Sequence, residues 1–293
     1  MPDFAAPPIE GSSNRRARIG DRMLAGLHSR QETMAKCRKL VGYSYLCCLL
    51  AFIYVPILIM IAMGFNESSD YELPFRFSLI WYQQLAGNEV LWRAGRNSVI
   101  LAVASTIVAT IVGTMAALAM SRYRVRGHAI LQILLLPPMA VPWLILATSM
   151  LIFFYHSGIG RGLHAMLLAH VALSLPYVIV VVGARFQSFA ADLEEASATL
   201  GANPWQTFVR VTLPMIAPGV AAAALFAFAI SFDQFVTSYF LAPPGVTTLP
   251  VEIYASIRKG FTPEINAIST IIMVVSMLLL GFVSRFYRFG GSK

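Results

Sequence analysis

Six long apolar stretches constrain this chain more than any other feature of its sequence, because each could cross a bilayer as a helix. About 20 apolar residues span the roughly 30 Å of hydrocarbon. The stretches are residues 45–65, 98–120, 130–154, 165–182, 218–241 and 265–283. Charged residues make up only 12% of the 293 residues, about half of what a soluble domain carries. The pattern predicts an all-α integral membrane protein with six transmembrane helices.

The distribution of basic residues predicts which loops face the cytoplasm. Sixteen of the 22 Lys and Arg residues lie in segments 1–44, 121–129, 184–217 and 285–293, and six lie in the alternate segments. Cytoplasmic segments are enriched in Lys and Arg, so both termini and the loop between the fourth and fifth spans are expected in the cytoplasm. The net charge of +8 is therefore attributed to topology and to contact with anionic lipid. No nucleic-acid-binding motif accompanies it.

Three segments follow from this topology. Residues 1–44 are expected to form a cytoplasmic N-terminal tail that is partly disordered, because they are polar and basic with little periodicity. Residues 45–285 are expected to form the six-helix transmembrane domain, and residues 286–293 a short cytoplasmic C-terminal tail.

The loop 192–214 is the most structured polar stretch of the transmembrane domain. Its first helix is predicted to begin at Asp192, with Glu194 and Glu195 in a turn where the helix dipole favours carboxylates. Gly201 is predicted to end that helix, and Asn203-Pro204 to begin a second. On local chemistry alone, this helix–turn–helix could serve only as an amphipathic anchor at the membrane surface.

The spacing of the loop resembles the EAA loop of ABC-importer permeases. The matching residues are Glu195-Ala196-Ser197, then Gly201 after three residues, then Val211-Thr212-Leu213-Pro214 after nine more. The family pattern has Ala at Ser197 and Ile at Val211. Leu213-Pro214 is also predicted to stop the second helix and lead into the fifth span. The resemblance covers about residues 45–285, and it implies the type I ABC importer permease fold in a bacterial inner membrane.

In permeases of that family the EAA loop is the coupling helix, which docks on a separate ATP-hydrolysing subunit. The resemblance implies that Glu195 pairs with a basic residue of the ATPase and that Gly201 allows the sharp turn. It implies that Ala196, Ser197 and Leu200 pack into a groove of the ATPase, with Leu213 and Pro214 completing the coupling set.

The same resemblance implies the partners: two copies of the ATPase, a second homologous permease and a periplasmic solute-binding protein. The chain itself contains no phosphate-binding loop and no nucleophile motif. It is therefore not expected to be an enzyme or to hold a metal or cofactor, and ATP with Mg²⁺ is expected on the ATPase.

Asp233 is the one ionisable side chain predicted to lie inside a span, and an intramembrane charge is a functional-site hypothesis by default. With its aromatic neighbours Phe232, Phe235 and Tyr239, it predicts a substrate path for an organic cation, held by ion pairing and cation–π contact. The alternative is that Asp233 lies near the outer end of the span and pairs with a basic residue or with backbone amides.

The stretch 231–267 is similar to the spermidine/putrescine permease group, which has S-x-D-x-x-V, G-P-G-x-T-T-L-P and P-E-I-N-A runs. Ala242-Pro243-Pro244-Gly245 stands where the group has Gly-Pro-Gly. That resemblance implies a polyamine or a related cation as solute. Gln234 stands where the group often has a second acid, so an opine, an amino-acid-like solute or another small solute stays an alternative. Two other classes are an ion-coupled secondary transporter, which typically has inverted repeats, and a membrane scaffold or receptor.

Overall fold

The structure is a computed structural model that describes residues 38–68, 74–122, 127–135, 137–187, 192–260 and 262–290. Side chains at 128–129, 192, 279–280 and 282–290 are not described. Most of the expected N-terminal tail, and part of the basic stretch 121–129, therefore lie outside the described residues. The chain divides into two units, Met1–Ala62 and Met63–Lys293, and each is considered by itself.

Helices account for nearly all of the regular structure in the described residues. In chain order they are α1 Arg38–Met63, α2 Ile80–Gly87, α3 Glu89–Arg122, α4 His128–Leu134, α5 Pro137–Ala140, α6 Trp143–His156, α7 Leu163–Gln187, α8 Asp192–Thr199, α9 Pro204–Thr207, α10 Leu213–Phe232, α11 Val236–Leu241, α12 Leu249–Lys259 and α13 Glu264–Gly290. A π-helical segment, Phe208–Thr212, joins α9 to α10. Outside the helices, the part of the chain that the structure describes contains one β-bridge, which pairs Asn66 with Phe77.

Four helices of the described chain are long and apolar enough to cross a membrane: Arg38–Met63, Glu89–Arg122, Leu163–Gln187 and Pro204–Phe232. A fifth candidate consists of Ile130–Ala140 and Trp143–His156, which meet at an angle of 107°. Pro142 lies in this break and precedes α6 directly, while Pro137 and Pro138 begin the short helix before it. Proline interrupts a helix because it lacks an N–H and its ring clashes with the preceding turn. The all-α, multi-span prediction is thus confirmed, with four or five candidate spans among the described residues.

α3, α7 and α10 form the core of the second unit. Small residues recur every four positions where they meet, namely Ala109, Gly113 and Ala117 on α3, and Gly219, Ala223 and Ala227 on α10. A Cβ added at Gly113 would lie 2.6 Å from Cγ1 of Val178, so glycine allows α3 and α7 to approach this closely. Large apolar side chains such as Ile107 and Met115 are exposed instead. Small residues inside and large ones outside are typical of helices packed in a bilayer.

The helix expected as the fifth span differs from its prediction at both ends. It was predicted over 218–241, after a stop at Leu213-Pro214. The structure shows helix from Pro204 through the π segment to Phe232, then a break at 233–235 before α11. The predicted stop is wrong because the wider π turn precedes Pro214, and such a turn displaces the carbonyl groups with which the proline ring would clash.

Candidate functional site

The loop between α7 and α10 folds into the predicted helix–turn–helix. α8 ends where Gly201 adopts a φ of +86°, a left-handed conformation that glycine adopts without Cβ strain. Asn203 Oδ1 accepts a hydrogen bond from the backbone N–H of Gln206 at 2.8 Å, and Gln206 Oε1 accepts one from the Asn203 N–H at 3.0 Å. This capping box starts α9. Ser197 Oγ lies 3.1 Å from Thr207 Oγ1, so α8 and α9 are also joined by their side chains.

An ion pair fixes this loop to the end of α3. Arg122 Nε lies 2.9 Å from Glu194 Oε2, and Arg122 Nη2 donates a hydrogen bond to Glu194 Oε1 at 3.1 Å. The hydroxyl of Thr212 donates to the same oxygen at 2.7 Å. The guanidinium carbon lies 5.5 Å from the ring centroid of Phe186. One carboxylate therefore connects α8, α3 and the π segment.

Sequence reasoning missed this connection. It assigned Glu194 only to the dipole of its own helix, and it attributed the basic stretch that begins at Arg122 to topology and lipid. The two partners are 72 positions apart, so no local pattern relates them. The one sequence signal was the adjacent pair of glutamates, because two neighbouring residues on a helix face different directions.

The exposed part of the loop presents apolar side chains around the second glutamate. The side chains of Leu200 and Trp205 are 89% and 71% exposed, and Ala196 and Glu195 are also exposed. Ser197, which bonds to α9, is only half-buried. Among the residues that the structure describes, no cation pairs with Glu195. This part of the loop is therefore an apolar surface with one unpaired carboxylate.

Leu213 and Pro214, the last residues of the predicted coupling set, belong to a different environment. Both are exposed in the first turn of α10, directly after the π segment. They lie on the helix that continues from the loop into the core, so they connect the exposed surface to α10.

Asp233 lies at the other end of α10, where that helix ends. It is the residue after the last helical turn, and its backbone N–H donates to the Ala229 carbonyl at 3.1 Å. Its side chain is exposed, and within the described ranges it has no ion-pair partner. Its side chain is therefore directed away from the residues that pack around α10 in this chain.

The predicted path residues divide into two groups. Phe235 and Tyr239 have ring centroids 5.6 Å apart, and Tyr254 of α12 joins them at 4.8 and 6.2 Å. The sequence did not predict the contribution of Tyr254. The guanidinium carbon of Arg258 lies 6.0 Å from the Tyr254 ring centroid, so this aromatic group already contacts one cation.

Phe232 lies against other residues than Phe235 and Tyr239 do. It stacks on Phe228 with centroids 5.8 Å apart, and both line an apolar cavity of about 840 Å³ between α3, α10 and α13. Of the four predicted path residues, Phe232 alone lines this cavity.

Comparison with known proteins identifies the family. Residues 109–288 match the family described as "Binding-protein-dependent transport system inner membrane component". The spermidine/putrescine transport system permease protein PotC of Escherichia coli (strain K12) is 34% identical over 243 residues, which cover 83% of this chain and 92% of PotC. The chain belongs to this family. It is the permease subunit of an ABC importer.

Two further similarities bear on this permease. The putrescine transport system permease protein PotI of the same organism is 34% identical over 240 residues, which cover 80% of the permease and 85% of PotI. A chain from the crystal structure of a bacterial alginate ABC transporter, in complex with an alginate pentasaccharide-bound periplasmic protein, is 20% identical with a TM-score of 0.68. That match covers 87% of the permease and 96% of the chain. It shows a shared fold.

Membership of the family also identifies the energy source in general terms. In these importers the ATPase is a separate chain, so the permease must receive the effect of ATP hydrolysis through a protein contact. The matched region includes both ends of α10, at the helix–turn–helix loop and at the break after Phe232.

Proposed function

We propose that this permease imports a small organic cation of the polyamine class, delivered by a periplasmic solute-binding protein, across the bacterial inner membrane. The observation that carries the proposal is its similarity, over 80–83% of its length, to permeases named for spermidine and putrescine. The exposed carboxylate of Asp233 and the paired rings of Phe235 and Tyr239, which follow two and six positions later in the chain, support it. A carboxylate and aromatic faces are what an alkylammonium group prefers.

The proposed topology has six spans with both termini in the cytoplasm. The broken pair α4–α6 and α13 would supply the third and sixth spans. Residues 1–44 and 286–293 would be the cytoplasmic tails of a transmembrane domain over 45–285. Two ATPase copies, with ATP and Mg²⁺ bound to them, and a second homologous permease would complete the importer.

The exposed surface of the helix–turn–helix is the proposed contact with the ATPase. Leu200, Ala196 and Ser197 would enter a groove, and Glu195 would pair with a basic side chain of the ATPase. The exposure of Leu200 supports this contact. The side chain is 89% exposed, and burying it against a partner would contribute about 1.5–3 kcal/mol of binding free energy. Gly201 would allow the turn, while Leu213 and Pro214 would carry the displacement into α10.

Charge reversal at Glu195 tests the docking. Glu195→Lys in the reconstituted complex should release the ATPase and abolish solute-stimulated ATP hydrolysis. Glu67→Lys is the matched control, because Glu67 is also exposed but lies after α1, on the proposed opposite side. If Glu195→Lys leaves both assembly and stimulation intact, the proposed contact is refuted.

The solute is tested separately with the binding protein and wild-type permease. Spermidine, putrescine and a neutral amino acid are compared for stimulation of ATP hydrolysis in liposomes. A polyamine importer responds to the first two compounds. Stimulation by the amino acid alone would refute the polyamine assignment. It would agree with the loss of a second acid at Gln234, while leaving the importer mechanism intact.

A further inference from the structure

A buried histidine connects the two helices on either side of the break at 233–235. His170 of α7 is 1% exposed. Its Nδ1 lies 2.8 Å from the hydroxyl oxygen of Ser231, in the last turn of α10, and its Nε2 lies 3.1 Å from that of Ser238 in α11. Ser105 of α3 lies 2.7 Å from Ser231. We call the two contacts made by His170 the His170 bridge.

The hydrogen atoms of this network can be assigned without leaving a ring nitrogen unpaired. A neutral imidazole has one donor and one acceptor nitrogen, and a serine hydroxyl both donates and accepts. If Ser231 donates to Nδ1, then Nε2–H donates to Ser238. If Nδ1–H donates to Ser231, then Ser238 donates to Nε2. Either arrangement satisfies both sides of the bridge, which matters because an unpaired polar group costs free energy in an apolar interior.

The bridge is notable because other polar groups at the break lack such partners. Gln234 Nε2 and Thr237 Oγ1 are buried without a hydrogen-bond partner in the part of the chain that the structure describes. The backbone N–H of Gln234 reaches the Ser231 carbonyl only at 3.4 Å. The near end of α11 therefore depends on Ser238 for its side-chain hydrogen bonding to α7.

The far end of α11 is fixed by separate contacts. Leu241 is fully buried and packs against Ala165, Met166 and Ala169 of α7. The backbone N–H of Gly162 donates to the Leu241 carbonyl at 3.1 Å. Loss of the bridge should therefore loosen the break and the first turn of α11 while its last turn stays in place.

We propose that His170 is a positioning residue for transport, which holds α10 and α11 at a fixed angle and thereby sets where Asp233 lies relative to Tyr239. The effect on transport rests on the proposed solute path at the break, whereas the effect on local order does not. A histidine that merely satisfies buried serines would add stability to the whole protein without changing how solute stimulates the ATPase.

The chain offers a matched control one turn along the same helix. Ser174 of α7 is fully buried, and its hydroxyl has no hydrogen-bond partner among the described residues. Ser174→Ala therefore removes a buried polar group at a similar position without removing a bridge. Ser238→Ala removes one side of the bridge by deleting a single oxygen atom, and it serves as the test variant if His170→Ala does not fold.

The experiment uses the complete importer in lipid nanodiscs, with spermidine and its binding protein as the probe. Amide hydrogen exchange is measured for peptides covering 229–242, together with the ratio of stimulated to basal ATP hydrolysis. His170→Ala and Ser238→Ala should each speed exchange at 234–238 by roughly threefold to tenfold, as expected for the loss of one hydrogen bond. Both variants should lower the stimulation ratio and leave hydrogen exchange at Leu241 unchanged. The Ser174→Ala control should match wild type in both hydrogen exchange and stimulation ratio.

Unchanged exchange at 234–238 in Ser238→Ala would overturn the bridge as the element that orders the break. Faster exchange with an unchanged stimulation ratio would overturn the positioning role, and would leave His170 as a purely structural residue. If spermidine fails to stimulate even the wild-type importer, the proposed solute is wrong, and the exchange data still decide whether the bridge orders the break.

Discussion

Substitutions at the two adjacent glutamates of α8, Glu194 and Glu195, should impair the importer in different ways. Glu194→Gln keeps the size of the side chain and removes its charge, so the link to Arg122 and Thr212 weakens without a cavity. Glu195, which is exposed and proposed to contact the ATPase, is untouched. We expect the ATPase to remain bound to Glu194→Gln and the solute-stimulated part of its activity to fall.

The size of the effect follows from the contacts. Glu194 accepts hydrogen bonds at 3.1 Å from Arg122 and at 2.7 Å from Thr212, and both members of the ion pair are 20% exposed. A hydrogen bond to a charged group contributes about 1.5–3 kcal/mol and a neutral one about 0.5–1.5 kcal/mol. Glutamine should therefore weaken the attachment of α8 by about 1–1.5 kcal/mol, which corresponds to roughly fivefold to twelvefold in the equilibrium between attached and detached loop.

A double-mutant cycle measures this directly. Glu194→Gln, Arg122→Gln and the double variant are compared by thermal unfolding of the isolated permease in detergent and by stimulated ATP hydrolysis in the complex. Two residues that form an ion pair should show a coupling energy of about 1 kcal/mol, whereas independent residues add to within about 0.5 kcal/mol. Additive effects, or release of the ATPase by Glu194→Gln, would refute the assignment of Glu194 to the internal link.

Three further variants test separate parts of the structure. Gly201→Ala places a Cβ at a φ of +86° and should cost about 1–2 kcal/mol, seen as faster hydrogen exchange in α8 and weaker ATPase binding. Gly113→Val forces atoms into the 2.6 Å approach to Val178 and should lower the free energy of unfolding by about 1–3 kcal/mol, measured by thermal unfolding. Asp233→Asn should raise the KM for spermidine uptake by roughly tenfold with basal ATP hydrolysis unchanged.

For each of these variants, one outcome would contradict the prediction. A Gly95→Ala control, where an added Cβ meets nothing within 4 Å, should be at least as stable as wild type, because alanine favours a helix interior over glycine. Equal stability of Gly113→Val and that control would mean that α3 and α7 are not in close contact. Normal ATPase binding by Gly201→Ala would show that the turn tolerates other conformations. An unchanged KM in Asp233→Asn would remove Asp233 from the solute path.

Sequence alone predicted those features that neighbouring residues determine. Gly201 as the end of α8, and Asn203-Pro204 as the start of α9, follow from backbone conformation and capping within a few positions, and the structure contains both. The apolar stretches likewise indicated where long helices form. Predictions of this kind succeed because the interactions involved span only one or two turns.

Features that depend on distant residues were missed or misplaced. The His170 bridge joins positions 61 and 68 residues apart, and the Arg122–Glu194 pair is also distant in sequence, so neither leaves a local pattern. The stop predicted at Leu213-Pro214 was wrong because a π turn can precede a proline within a continuous helix. The helix end at Phe232 falls inside an apolar run that continues through 241, where hydropathy does not distinguish a helix from a break.

The continuous helix from Pro204 to Phe232 fixes the geometry between the loop and the break. Its 29 residues extend about 44 Å at 1.5 Å each, which exceeds the roughly 30 Å of hydrocarbon. In a continuous helix, each added residue rotates everything beyond it by about 100°. The length of the nine-residue interval between Gly201 and Val211 therefore determines how the far end of α10 is rotated relative to α8. A length change there would leave the exposed side chains of α8 in place while turning Phe232 and Asp233 toward different neighbours.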